Sequence, residues 1–229
     1  MRHPRTTALL AATALALSGC SAGEKDANPP APPTQEKPAL RIDGAPDGFE
    51  ATALPAHLAF GETAQVVTEP NDGALQFWSL NVEPLKTLSV EEVEANFGGP
   101  PLDDMSDVEK FVCVLSTVTY LGASGTPDDV YPVSVHPTTA NGNSANAVTA
   151  LGDLQPQLIN DSAAAACGLD DSGLIPGEPG ELVVGTQYRE AALSWTSPAG
   201  VGNNPAGAEF TSAVTSVPEL SRSESVYWS

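Results

Sequence analysis

The sequence predicts a mainly β protein, an antiparallel β-sandwich with one short helix. Three observations lead there. Short apolar or β-branched runs recur between clusters of Gly, Pro, Asn and Asp, the pattern of strands punctuated by turns. Helix is scarce, with one clear candidate that carries both start and stop signals. The strands do not alternate with helical patterns, which disfavours parallel βαβ units and favours sheet stacked on sheet.

Ahead of that domain stands a different kind of segment. Arg2, His3 and Arg5 precede an apolar run from Thr6 to Leu17, rich in Ala and Leu. A membrane-spanning helix needs about 20 apolar residues, so the run is too short to span. Basic residues, a short apolar core and then small residues read as a secretory signal. The run ends in Leu17-Ser18-Gly19-Cys20, which resembles the lipobox of bacterial lipoproteins. In that family a diacylglycerol is attached to the cysteine thiol, and a signal peptidase cuts just before it. The resemblance implies that residues 1–19 are a signal peptide and that Cys20 is the lipidation site. The chain would then be anchored in the cell membrane, facing the extracellular or periplasmic side. Each buried methylene contributes about 0.8 kcal/mol, and a second acyl chain turns marginal binding into stable anchoring.

Residues 20–40 read as a lipidated cysteine followed by a disordered linker. Pro29, Pro30, Pro32, Pro33 and Pro38 are interleaved with Ala, Lys, Glu and Gln, a composition that builds no core. Pro-rich chain extends about 3.1 Å per residue, so the linker reaches up to about 60 Å. Residues 41–229 are long enough for one domain with a substantial core.

Within that domain the strands follow in order. Leu75 to Leu80 is apolar on both registers, and so is Phe111 to Leu121, the strongest strand, which is placed at the centre of a sheet. Val130 to His136, Ala145 to Leu151, Tyr188 to Trp195, Phe210 to Val217 and Ser223 to Trp228 read as further strands. Turns are expected at Gly122–Gly125, Asn141-Gly142-Asn143, Pro176-Gly177 and Gly200–Asn204. The one helix runs from Ser89 to Phe97 and is closed by Gly98-Gly99. Ser89 and Glu92 stand at capping-box spacing, with acids in the first turn.

Phe60-Gly61-Glu62-Thr63-Ala64 before a strand, the long strand around Val112 to Tyr120, and Leu174-Ile175-Pro176-Gly177-Glu178 ahead of the closing strands form a second pattern. It resembles the immunoglobulin-like domains of small surface lipoproteins of Gram-positive bacteria. The resemblance implies an immunoglobulin-like sandwich with a binding or structural role, and it carries over no functional residues.

The chemistry in the domain is sparse. Cys113 and Cys167, the pair left after Cys20, are expected to form a disulfide, since no CxxC or nearby histidine suggests redox or metal chemistry. His57 and His136 are the two histidines after the signal and read as solvated or hydrogen-bonded. Ser124 lacks the Gly-x-Ser-x-Gly elbow that a hydrolase nucleophile needs. Asp103-Asp104, Asp128-Asp129 and Asp170-Asp171 sit in expected loops without calcium-loop spacing, and water is expected to keep the acids ionised. Trp78, Trp195 and Trp228 are expected to pack the core rather than to line a glycan platform.

No catalytic residue, metal ligand or cofactor site is assigned. The formal charge of −20 disfavours nucleic acid and anionic headgroups as direct partners. The expected function is therefore that of a lipid-anchored, non-enzymatic binding or structural module with an unidentified protein or cell-wall partner. An envelope hydrolase using paired carboxylates or a calcium-binding surface domain is the alternative. A two-lobed solute receptor is disfavoured for want of helices.

Overall fold

The longest strand, Lys110–Ala123, organises the molecule, and the reason is the pattern that singled it out in the sequence. In the computed structural model, which describes residues 40–70, 73–100, 106–130, 133–146, 162–198, 202–212, 214–220 and 224–229, both of its faces are buried along most of its length. All of these residues lie in one compact unit, Lys37–Ser229.

Among the described residues, nine strands form two sheets. They are β1 (Ala56–Leu58), β2 (Thr63–Thr68), β3 (Gln76–Val82), β4 (Lys86–Leu88), β5 (Lys110–Ala123), β6 (His136–Thr138), β7 (Gln187–Thr196), β8 (Gly207–Thr211) and β9 (Ser225–Trp228). The larger sheet centres on β5. Its partner β7 runs along Lys110 to Thr119 on one edge. On the other edge β3 pairs with Ser116 to Ala123 and β4 with Phe111 to Cys113. β2 lies outside β3. The second sheet has the order β1-β9-β8-β6. Every pairing is antiparallel except β1 with β9, which is parallel, a departure from the purely antiparallel expectation.

The inner faces of the two sheets share one core. Trp78, Leu80 and Val82 of β3 and Val114, Val118 and Tyr120 of β5 meet Ala208 and Phe210 of β8 and Val226 and Trp228 of β9. A register shift between Phe77 and Trp78 lets both rings be buried, which explains why that strand is apolar on both registers. The result is a mainly β, two-sheet sandwich.

The opposite face of β5 has its own cover. Phe111, Cys113 and Leu115, with Ala191 and Leu193 of β7, pack beneath helix α1 (Val90–Phe97) and a helical segment over residues 162–166. In α1 the Ser89 side chain accepts from Glu92 N–H, and Glu92 reciprocates to the Ser89 N–H at 2.8 Å. Gly98 closes the helix at φ 83°, a left-handed position that favours glycine.

The second helical segment corrects the expectation of a single helix. Ser162 ahead of four alanines, followed by Gly168, is the local signal for it, short and without a hydrophobic period. Other strands also differ in extent. β8 starts at Gly207 and stops at Thr211, short of Val217, because the N–H groups of Thr215 and Ser216 go to the Glu69 carboxylate instead of a strand. Of the stretch expected over Val130 to His136, residues 131 and 132 lie outside the described residues, and the rest is strand only from His136, in β6 (His136–Thr138), although Val130, Val133 and Val135 are buried. Of the strand expected over Ala145 to Leu151, residues 147–151 lie outside the described residues.

Candidate functional site

Most of the residues marked out in the sequence serve the frame. Cys113 and Cys167 form a disulfide with Cα atoms 5.9 Å apart, tying β5 to the end of the 162–166 segment. The Asn96 amide donates to Ala166 O at 3.2 Å, so α1 and that segment brace each other over the bridge. Trp78 and Trp228 are fully buried; their indole N–H groups donate to Thr68 Oγ1 and to Glu62 O, both at 3.0 Å. Trp195 is half-buried against the helical layer. Ser124 Oγ accepts from the Leu75 N–H at 2.9 Å, a turn contact.

Among the described residues the acid pairs gather into no metal-binding cluster. Asp129 accepts from the Val130 N–H through its side chain, while its backbone carbonyl accepts from the buried Gln76 amide. Asp170 precedes and Asp171 begins a 3₁₀ turn at Asp171–Gly173. Asp103 and Asp104 lie outside the described residues, as does Cys20. Among the described residues, no group of three or more His, Cys, Asp or Glu could hold a metal ion.

Two carboxylates take their protonation from the fold rather than from water alone. Glu69, at the end of β2, accepts from Thr215 N–H and Oγ1 and from Ser216 N–H. Burial raises its carboxyl, but these bonds outweigh burial and hold it below the usual range. Glu190 is a true correction. It stands in the middle of β7, directly opposite Ser116, on the face that carries Tyr188 and Ala192 toward the core. Only 7 % of it is exposed, and burial pushes its carboxyl up to about 8. Its place was readable only once β7 was given a partner and a face, because Arg189-Glu190 in isolation looks like a solvated pair.

The histidines give the least expected result. His57, on β1, pairs with Tyr227 of β9; Tyr227 pairs with Glu209 of β8; Glu209 pairs with His136 of β6. The four residues thus form one rung across the whole four-stranded sheet. They share its outer face, because their neighbours Leu58, Val226, Trp228, Ala208 and Phe210 turn into the core. His57 and His136 are exposed, and Tyr227 and Glu209 are half-buried. The His57 and Tyr227 rings stack at 5.1 Å with 14° between planes.

A wall rises beside the rung. The turn over residues 139–143 is held by the Gly142 N–H to Thr139 O at 2.9 Å and by the Asn143 N–H to Thr139 Oγ1 at 3.2 Å. It folds back against Tyr227, so that a Cβ added at Gly142 would lie 3.8 Å from Tyr227 Cε1. Exposed Asn141 and Asn143 flank that glycine. With strands about 4.8 Å apart, the rung spans about 14 Å. Histidine spacing in the sequence gave no hint of this row, because β1 and β6 are three strands apart and far apart in the chain.

No family model matches the chain, and no curated protein matches it. Among solved structures it is similar to MPT63, a secreted protein from Mycobacterium tuberculosis, at 12% identity and a TM-score of 0.40, over 77% of this chain and 98% of that one.

Proposed function

We propose that this chain is a lipid-anchored envelope protein whose sandwich binds a partner through the outer face of its four-stranded sheet. The observation that carries the binding role is the contrast between the two sheets. Helices cover the outer face of β5 and β7, whereas the outer face of β1, β9, β8 and β6 carries the His57–Tyr227–Glu209–His136 rung. The role is non-enzymatic. Catalysis by carboxylates needs two of them facing each other across a substrate, and this face offers Glu209 alone on its rung.

Export and anchoring rest on the sequence and on redox chemistry. Disulfides persist in oxidising compartments, which suits Cys113–Cys167 in a domain outside the cytosol. Leu17-Ser18-Gly19-Cys20 supplies the address, with Cys20 as the acylated residue and the Pro-rich stretch after it as the spacer. Among the described residues no helix is long and apolar enough to cross a membrane. Attachment in this reading comes from the lipid, and the partner is a protein or a cell-wall polymer rather than nucleic acid.

The anchor is tested by Cys20→Ala. The variant is expected to lose acyl labelling and to remain as unprocessed or mislocalised precursor. A mature-sized variant that still partitions with membranes and needs detergent for release would refute the lipoprotein reading.

A further inference from the structure

We infer that the His57–Tyr227–Glu209–His136 rung, with the Asn141-Gly142-Asn143 turn as its wall, binds a neutral, hydroxyl-rich saccharide chain. The inference deepens the binding-module reading and rests on it, but it does not depend on the lipid anchor.

The side chains themselves carry the argument. Imidazole, phenol, carboxylate and imidazole supply donors and acceptors along one line, all of them planar groups, with the exposed Asn141 and Asn143 in the turn beside Tyr227. Hydroxyl-rich ligands need that alternation, since each hydroxyl both donates and accepts. The line spans about 14 Å, three strand spacings, which suits a chain of linked rings better than one small molecule. The stack of His57 on Tyr227 fixes both rings, so little side-chain freedom is lost when a ligand settles on them. β1 is the sheet's edge strand, which leaves the outer face of the His57 ring open for contact with sugar C–H groups.

The other ligand classes fit less well. A single metal ion cannot be shared by His57 and His136 across that span, and no group of three metal-binding side chains exists among the described residues. An anionic ligand would meet Glu209 in the row and a chain of net charge −20, and the four strands carry no Lys or Arg. A basic peptide would find one carboxylate on the rung rather than a cluster. An apolar partner would have to strip water from six polar side chains without replacing their hydrogen bonds.

The test uses the full chain in detergent, titrated calorimetrically with β-1,4-linked tetramers of glucose, mannose and N-acetylglucosamine. At least one is expected to bind saturably with millimolar affinity or better. His57→Ala and Glu209→Ala are each expected to weaken it about tenfold, through lost stacking and a lost charge-assisted bond. Lys110→Gln, on the other sheet, is expected to leave it unchanged. Both rung positions are surface sites, and unchanged melting temperatures will show that the variants remain folded. The inference is overturned if no tetramer binds up to about 10 mM. It is equally overturned if both rung variants bind as the parent does, or if tetralysine or a heparin tetrasaccharide binds in preference. A protein that is membrane-tethered yet binds none of the sugars would sink this inference alone, whereas loss of tethering would leave it standing.

Discussion

Replacing Glu190 by Gln should make the protein more resistant to alkaline unfolding, an unusual outcome for a change deep in a sheet. The sign follows from where the proton sits. Below pH 4.5 both the folded and unfolded chains hold the proton, so Glu190 imposes no penalty. Between 4.5 and about 8 the unfolded chain ionises while the folded chain keeps the proton in its buried site. The unfolded state then binds fewer protons, and stability falls as pH rises. At about 1.4 kcal/mol per pH unit, the interval from 4.5 to about 8 costs about 5 kcal/mol in full. Gln cannot ionise, so its contribution stays level with pH. The assay is urea unfolding of parent and Glu190→Gln at pH 4, 6, 8 and 9. Taking the difference between the two proteins cancels the titration of the other acids. At pH 4 the variant should be equal to the parent or weaker, since its amide brings N–H donors that need partners. By pH 9 the difference should have moved by several kcal/mol in the variant's favour. A difference that stays flat to within about 0.5 kcal/mol across that range would refute the burial of a protonated carboxyl.

Two further perturbations address the frame. Cys113→Ala with Cys167→Ala opens a loop of 54 residues, which in the chain-entropy model costs about 4 kcal/mol; for a domain this size that is a fall of about 8–16 °C in melting temperature. Labelling of native protein with a thiol reagent should find neither cysteine free. Ser89→Ala removes half of the capping box on α1 and should cost about 1 kcal/mol in chemical unfolding. A neutral result would mean that packing of Val93 and the Asn96–Ala166 bond hold the helix without the cap.

Local signals in the chain were legible wherever the determinants were local. The capping box at Ser89 and Glu92, the left-handed glycine at Gly98 and the doubly apolar pattern of β5 all survive from sequence to structure, since each depends on neighbours within a few residues. The cover on the outer face of β5 was only half legible. Its apolar register demanded a partner, but the alanine run that supplies part of it is a five-residue helix, too short to show a hydrophobic period of its own. Glu190 and the polar rung were not legible, for a common reason. Which face a strand residue occupies depends on pairing, and pairing here joins β1 to β9 and β6 to β8 over long separations. The fate of an isolated Glu or His is decided by that pairing.

The parallel pairing of β1 with β9 also bears on when the molecule can become itself. β9 stands between β1 and β8, so the four-stranded sheet has no continuous form until residues 225–228 exist. Trp228, fully buried, contributes its indole to the common core, and its N–H closes on Glu62, 166 residues earlier. A ribosome that has already made β1 through β8 therefore holds a chain whose second sheet is split in two. Such long-range closure is entropically costly and slow. Until β9 joins β1 and β8, the two parts of that sheet stay separate.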